Sequence, residues 1–268
     1  MSEETIPAAR VADAGAVAAQ TAAHGRTSVR EVVESLLVTV LLALFGTTFV
    51  VQAFKIPSQS MEPTLLVGDH LLVNKFIFGG RGQWYGALLP YRDVRRGDII
   101  VFKFPYQDHP HYVKRVIGMP GDRIRMVDQK VYVNGKLANE PFAYHDPDAP
   151  YDPFLYNFPP SATDQLYSNM QPEWANVIAN YISNGELVVP PGRYFAMGDN
   201  RDHSWDSRYW GFVDRDAIMG RPVLIYWSIS GEEGSDEERP PGPVPSLIDS
   251  LLQFPSRVRW RRMFHTVH

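Results

Sequence analysis

Two hydroxyls and one amine head the chemistry open to this sequence. The segment Ile56-Pro57-Ser58-Gln59-Ser60-Met61-Glu62-Pro63-Thr64-Leu65 sets two serines at i and i+2, which in an extended chain point to the same side. One can attack a carbonyl while the other donates a hydrogen bond to the developing oxyanion. Standing alone, Ser-x-Ser near prolines is more often a turn or a helix cap. A serine nucleophile also needs a base. Lys114 lies in His111-Tyr112-Val113-Lys114-Arg115-Val116-Ile117-Gly118, a strand-like run in which Tyr112, Lys114 and Val116 share one face. Burial there disfavours the ammonium and lowers its pKa, whereas Arg115, on the other face, keeps its charge. The competing reading is a lysine that snorkels out of a half-buried strand.

A third cluster, Gly198-Asp199-Asn200-Arg201-Asp202-His203-Ser204-Trp205-Asp206-Ser207-Arg208-Tyr209-Trp210-Gly211, is dense in polar and aromatic groups. Burying such a loop is costly unless its groups pair internally, as Asp206 with Arg208. For Asp199, Arg201, Asp206 and Arg208 the pattern favours a rigid, self-bonded loop that shapes a site without reacting. The Ser204 hydroxyl differs, because it can hydrogen-bond a lysine base and orient it.

Composition removes several rival chemistries. The 268 residues include no cysteine, so thiolate nucleophiles, disulfides, Cys-ligated zinc and iron–sulfur clusters are excluded. A hydrophobic share of 44% with 21% charged residues is that of a globular chain rather than a disordered or collagen-like one. The net charge of −4 gives no global attraction for nucleic acid, and no nucleic-acid partner is expected. His203 adjoins Ser204, but neighbours in an extended chain point apart, and no Gly-x-Ser-x-Gly elbow is present. His109 and His111 alternate suitably for one metal but lack a third ligand.

These groups need elements to hold them. Residues 35–54 (SLLVTVLLALFGTTFVVQAF) form a run of twenty without a formal charge, about 30 Å as a helix and so the thickness of a bilayer core. The expected organisation is a flexible cytoplasmic tail over 1–34, a transmembrane anchor over 35–54 and a catalytic β domain over 55–230. An acidic, Pro-rich linker and a basic aromatic tail complete the chain over 231–268. The β domain shows as short strand-like runs divided by Gly-Asp and Asn-Gly turns, with a hairpin at Asn134-Gly135. Within it, 139–182 reads as an insert or lobe carrying a short helix near 172–181. Ser60 lies only six residues past Phe54, which puts it within about 20 Å of the membrane boundary.

In order, the motifs are Ser-x-Ser-Met-x-Pro-Thr-Leu (58–65), Gly-Asp-x-x-x-Val-Asn-Lys (68–75), Tyr-Val-Lys-Arg-Val-x-Gly-x-Pro-Gly-Asp (112–122) and Gly-Asp-Asn-Arg-Asp-x-Ser-x-Asp-Ser-Arg-x-Trp-Gly (198–211). Together they resemble the bacterial type I signal peptidases over roughly residues 35–228. The resemblance implies Ser60 as nucleophile and Lys114 as general base. It also implies Ser58 beside the Ser60 N–H in the oxyanion hole, and Ser204 as the partner that orients the lysine. Ile56, Pro57, Tyr112 and Val113 correspond to the walls of shallow pockets for small substrate side chains, and Asp199, Asp206 and Arg208 to structural positions. His203 replaces a common asparagine.

The implied fold is mainly β: an N-terminal transmembrane helix followed by an extracytoplasmic antiparallel β-sheet domain of the signal peptidase type with an inserted lobe. The implied enzyme sits in the bacterial cytoplasmic membrane and cuts signal-peptide-bearing preproteins at small-x-small sites. Membrane lipid and, indirectly, the export machinery are its other partners, and it needs no cofactor. An inactive, membrane-tethered peptide-binding paralogue is the alternative. Loss of Ser60 or Lys114 would mark such a protein, and both are present.

Overall fold

The structure is a computed structural model that describes residues 28–46, 51–78, 91–106, 111–160, 170–230 and 255–267. Most of the expected N-terminal tail, the acidic Pro-rich linker and His109 lie outside the described residues. The chain divides into two units, 1–48 and 49–268.

The first unit contains helix α1, Val29–Phe45. A reciprocal capping box starts it: the Glu31 N–H donates to Ser28 Oγ and the Ser28 N–H to the Glu31 carboxylate, each at 3.2 Å. Valines and leucines then occupy its whole circumference, with Val32, Leu36, Leu37, Val38, Leu41 and Leu42 all exposed. No described helix is long and apolar enough to cross a membrane. The expected anchor over 35–54 differs at its end, where Val51–Lys55 is strand β1 of the second unit. Within that strand Val51 and Phe54 are β-branched and aromatic, types that suit a pleated surface. β1 covers the edge of β2, Asp69–Asn74, in antiparallel register from Val51 opposite Asn74 to Lys55 opposite His70.

The second unit is mainly β, and its two sheets are antiparallel throughout their named strands. In the larger sheet the order is β1-β2-β12-β3-β4-β10-β11, with β13 (His265–Thr266) also paired to β12 (Ile218–Ser228). At its centre are β3, Ile99–Lys103, and β4, His111–Gly118, flanked by β10, Arg193–Met197, and the short β11, Val213–Asp214. The smaller sheet holds β5 (Arg123–Val127), β6 (Lys130–Val133), β7 (Lys136–Leu137), β8 (Ile182–Ser183) and β9 (Glu186–Val188). The β6–β7 hairpin turns at Asn134 and Gly135, with φ of 54° and 74°, the left-handed pair that a two-residue turn of this hand requires.

Strand alternation sorts the core. Ile99, Val101 and Val113 pack with Ile56, Met61, Leu65 and Leu71, whereas Ile100, Phe102, Tyr112 and Val116 pack with Phe104 and Trp210. A third cluster under the smaller sheet takes Phe158, Met170, Trp174 and Ile178 from the segment read as an insert. That segment therefore supplies core. It carries two single-turn helices, α2 at Pro153–Tyr156 and α3 at Pro172–Ala175.

The described C-terminal residues 255–267 pack onto the β unit. Val258 and Val267 are buried, and Arg262 donates to Asp69 Oδ2 at 2.6 Å and to the Thr64 carbonyl at 3.0 Å. Asp69 is fully buried and needs cationic and hydroxyl partners, which Arg262 and the Ser228 hydroxyl at 2.6 Å provide.

Candidate active site

Ser60 sits in a single 3-10 turn, Gln59–Met61. The turn is fixed from below by Met61 and Leu65, both buried in one core cluster. From the side, the Asn200 N–H donates to the Ser60 carbonyl at 3.2 Å and the Asn200 amide to the Gln59 carbonyl at 3.3 Å. Ser58 Oγ lies 3.3 Å from Ser60 Oγ.

Lys114 Nζ donates to Ser60 Oγ at 2.6 Å. The lysine is 3% exposed, and its pKa is lowered to about 8, chiefly by burial. The carboxylates of Asp206 and Asp199 pull it back up, while the Arg208 cation adds to the lowering. An amine poised near neutral pH against a hydroxyl can accept that hydroxyl's proton, which is the chemistry of a general base beside a nucleophile.

The 198–211 loop is held by internal and cross-chain ion pairs. Asp206 caps the short helix α4, Ser207–Trp210, by accepting from the Arg208 N–H. Its carboxylate also takes Arg208 Nε and Nη2, both at 2.9 Å, and the Gly198 N–H at 3.0 Å. Burial works against the charged carboxyl, but Arg208 and the Gly198 N–H outweigh it and hold the pKa below the usual range. Asp199 receives Arg115 through two bonds of 2.8 and 2.7 Å and the Thr64 hydroxyl at 2.6 Å. Arg201 forms a two-bond pair with Glu140 at 3.0 and 2.7 Å.

A cleft of about 210 Å³ opens beside Ser60 and Lys114, and Ile56, Pro57, Ser58, Tyr112 and Val113 line it. Its volume is small against the roughly 300–1,000 Å³ of ordinary ligand sites. Along one wall, β10 pairs with β4 only from Arg115 onward. Among the described strands the outer edge of residues 112–114 therefore has no ladder partner.

A family profile described as signal peptidase, peptidase S26, matches residues 29–227. The chain belongs to the signal peptidase family, peptidase S26. Signal peptidase I of Pseudomonas aeruginosa is 37% identical over 213 residues, covering 73% of this chain and 71% of the relative. Signal peptidase I of Aquifex aeolicus is 34% identical over 260 residues, covering 85% of this chain and 96% of the relative. The crystal structure of a signal peptidase I from Enterococcus faecalis is 28% identical and covers 48% of this chain and 97% of its own, with a TM-score of 0.30.

Of the residues that the signal peptidase motifs single out, the structure gathers Ser58, Ser60, Lys114, Ile56, Pro57, Tyr112 and Val113 around one cleft, with Asp199, Asp206 and Arg208 in the supporting loop. Ser204 departs from expectation. It is 4% exposed and makes no hydrogen bond to Lys114, and its hydroxyl lies by Asp206, where it helps to hold that carboxyl's pKa down. Instead it packs against Gly198, where a Cβ would collide with both Ser204 Oγ and the Ser60 carbonyl oxygen. His203 faces away to Asp146, with its Nε2 2.9 Å from the carboxylate. Sequence reasoning missed Arg115 and Glu140 as partners of the loop. A signal for them exists: the loop holds three aspartates and two arginines, so its charges cannot all pair internally.

Proposed function

We propose that the protein is a membrane-bound serine endopeptidase that removes N-terminal signal peptides from exported preproteins at small-x-small sites, Ala-x-Ala being the type. The contact that carries this reading is the 2.6 Å approach of the buried Lys114 amine to Ser60 Oγ. Neutral Lys114 takes the Ser60 proton as the oxygen attacks the scissile carbonyl. The oxyanion is held by the Ser60 N–H and the Ser58 hydroxyl. Lys114 returns the proton to the leaving amine, the mature protein departs, and water activated by the same amine hydrolyses the acyl-enzyme.

Specificity follows from size: a cleft of about 210 Å³ walled by Ile56, Pro57 and Val113 accepts small side chains. An extended substrate can pair with the open edge of residues 112–114, which fixes its register through the backbone. Ser204 acts through the Gly198 contact that backs the Ser60 turn. The all-round apolar surface of α1 supports membrane attachment, since such a helix finds no water-facing side. The apolar segment ahead of β1 then serves as a single-pass anchor, with the catalytic unit on the extracytoplasmic side of the cytoplasmic membrane.

The test is cleavage of a preprotein with an Ala-x-Ala site by the full chain in detergent, with the cut located by mass spectrometry. Wild type is expected to cut after the second alanine, and Ser60→Ala and Lys114→Ala to leave the preprotein intact. Cleavage by Lys114→Ala would place the base elsewhere. Binding without cleavage by wild type would favour an inactive peptide-binding paralogue.

A further inference from the structure

The motif through which the chain resembles its family reads Asp-x-Ser-x-Asp over 202–206 and leaves position 205 open, and this chain has tryptophan there. Trp205 is 37% exposed, in a loop whose neighbouring residues 204 and 206 are buried. It is not adrift. Its ring lies 5.3 Å from Phe104 and 6.3 Å from Tyr112, and its carbonyl accepts from Trp210 Nε1 at 3.3 Å. Phe104 in turn sits 4.8 Å from Tyr112. The Lys114 ammonium nitrogen is 5.6 Å from the Tyr112 ring centre. A chain of aromatic contacts therefore runs from the wall of the cleft, over the buried Phe104, to a partly exposed indole.

Strand alternation decides what part of a substrate can reach it. Tyr112 and Lys114 leave β4 on one face, with the Phe104 and Trp210 cluster, while Val113 leaves on the other, with Ile56 and Phe54. A peptide paired to the open edge of residues 112–114 presents its own side chains alternately to these two faces. Residues that project toward Ile56 and Val113 meet the small pockets. The residue between the two small ones, and the first residue of the mature protein, project the other way.

We propose that Trp205 and Tyr112, backed by the buried Phe104, form an aromatic ledge that contacts these two alternate substrate residues and favours flat apolar side chains there. The x of small-x-small and the first mature residue are thus selected by this enzyme, through a residue that the family motif leaves unspecified. The inference rests on the signal-peptide reading above and deepens it.

The experiment compares preprotein peptides carrying Ser or Phe at each of the two positions, cleaved by full-length wild type, Trp205→Phe and Trp205→Ala in detergent. Wild type is expected to favour Phe over Ser in kcat/KM by about fivefold at one or both positions, the scale of an aromatic pair. Trp205→Phe keeps most of that ratio and Trp205→Ala brings it close to one. An unchanged ratio in Trp205→Ala, or an equal loss on Ser and Phe peptides, overturns the ledge. If wild type cleaves none of the peptides, the peptidase reading has failed, and the ledge is judged by binding alone. The same peptides are then titrated against Ser60→Ala and the Ser60→Ala/Trp205→Ala double variant by fluorescence anisotropy. A Phe preference in Kd that disappears with the indole supports the ledge, and equal affinities refute it.

Discussion

Lys114 and Arg115 are consecutive in β4, yet among the described residues only the arginine is paired with a carboxylate. Arg115 crosses one face of the sheet to a buried two-bond pair with Asp199. Lys114 leaves the other face, makes no ion pair with a carboxylate among the described residues, and ends on the Ser60 hydroxyl. A guanidinium keeps its proton even when buried, so it serves as a clamp; an amine gives its proton up, so it can act as a base. The order Lys-Arg in this strand assigns each cation to the face that needs its chemistry.

The first prediction exchanges one cation for the other. Lys114→Arg preserves the positive charge but not the capacity to become neutral, and the planar guanidinium does not fit a site built for a single ammonium nitrogen. Turnover of an Ala-x-Ala preprotein is expected to fall by roughly 10²–10⁴, the usual contribution of a positioned general base. Retention of more than a tenth of wild-type turnover would sink the base assignment.

The pH dependence of the reaction has a definite sign. Lys114 works as the neutral amine, and burial lowers its pKa to about 8. Below that value the base is protonated, so kcat/KM should rise about tenfold per unit and level off above pH 8. An activity flat from pH 6 to 9, or falling across it, contradicts the mechanism. A plateau already complete at pH 7 would point to a histidine.

The same burial has a stability cost that can be measured without substrate. In the unfolded chain the lysine holds its proton up to the reference value of 10.5, and in the folded chain only to about 8. Between those values the unfolded state binds more protons, so stability rises with pH through that window. Below pH 8 the charged form is penalised in full, on the order of 3 kcal/mol. Lys114→Met, which has similar length and no charge, should therefore unfold at a higher temperature than wild type at pH 7. The gap should narrow above pH 8 and close only above about pH 10.5. A gap independent of pH would assign the effect to packing.

Much of the β scaffold is legible in the sequence because strands and tight turns are local events. Asn134-Gly135 makes its turn whatever surrounds it, and Tyr112, Lys114 and Val116 share a face by geometry alone. Pairings at long range are not legible. Asp199 bonds Arg115 across 84 residues and Arg201 bonds Glu140 across 61, and nothing in the local sequence ranks one arginine above another as a partner. The end of the apolar run is hidden for a different reason. Hydropathy is the same for a residue facing lipid and a residue in a half-buried strand, so it carries α1 and β1 as one segment. The choice is made by the open edge of β2, which is a tertiary fact.

The C-terminal segment gives the last prediction, because its attachment depends on one carboxylate. Asp69 is fully buried and accepts from Arg262, Ser228 Oγ and the Leu66 N–H. Arg259 approaches to 3.8 Å. Arg262 also holds the Thr64 carbonyl, while the Thr64 hydroxyl bonds Asp199 beside the site. Arg262→Ala leaves the carboxylate buried with neutral donors and a more distant cation. The cost of orphaning a buried charge is about 3–5 kcal/mol, with Arg259 placing this case at the lower end. For a domain of this size that is a fall in Tm of roughly 6–12 °C. Asp69→Asn/Arg262→Ala removes both charges and should lose less than Arg262→Ala alone, since no ion is then left without its partner. A double variant as unstable as the sum of the two single changes would mean that Asp69 and Arg262 act independently.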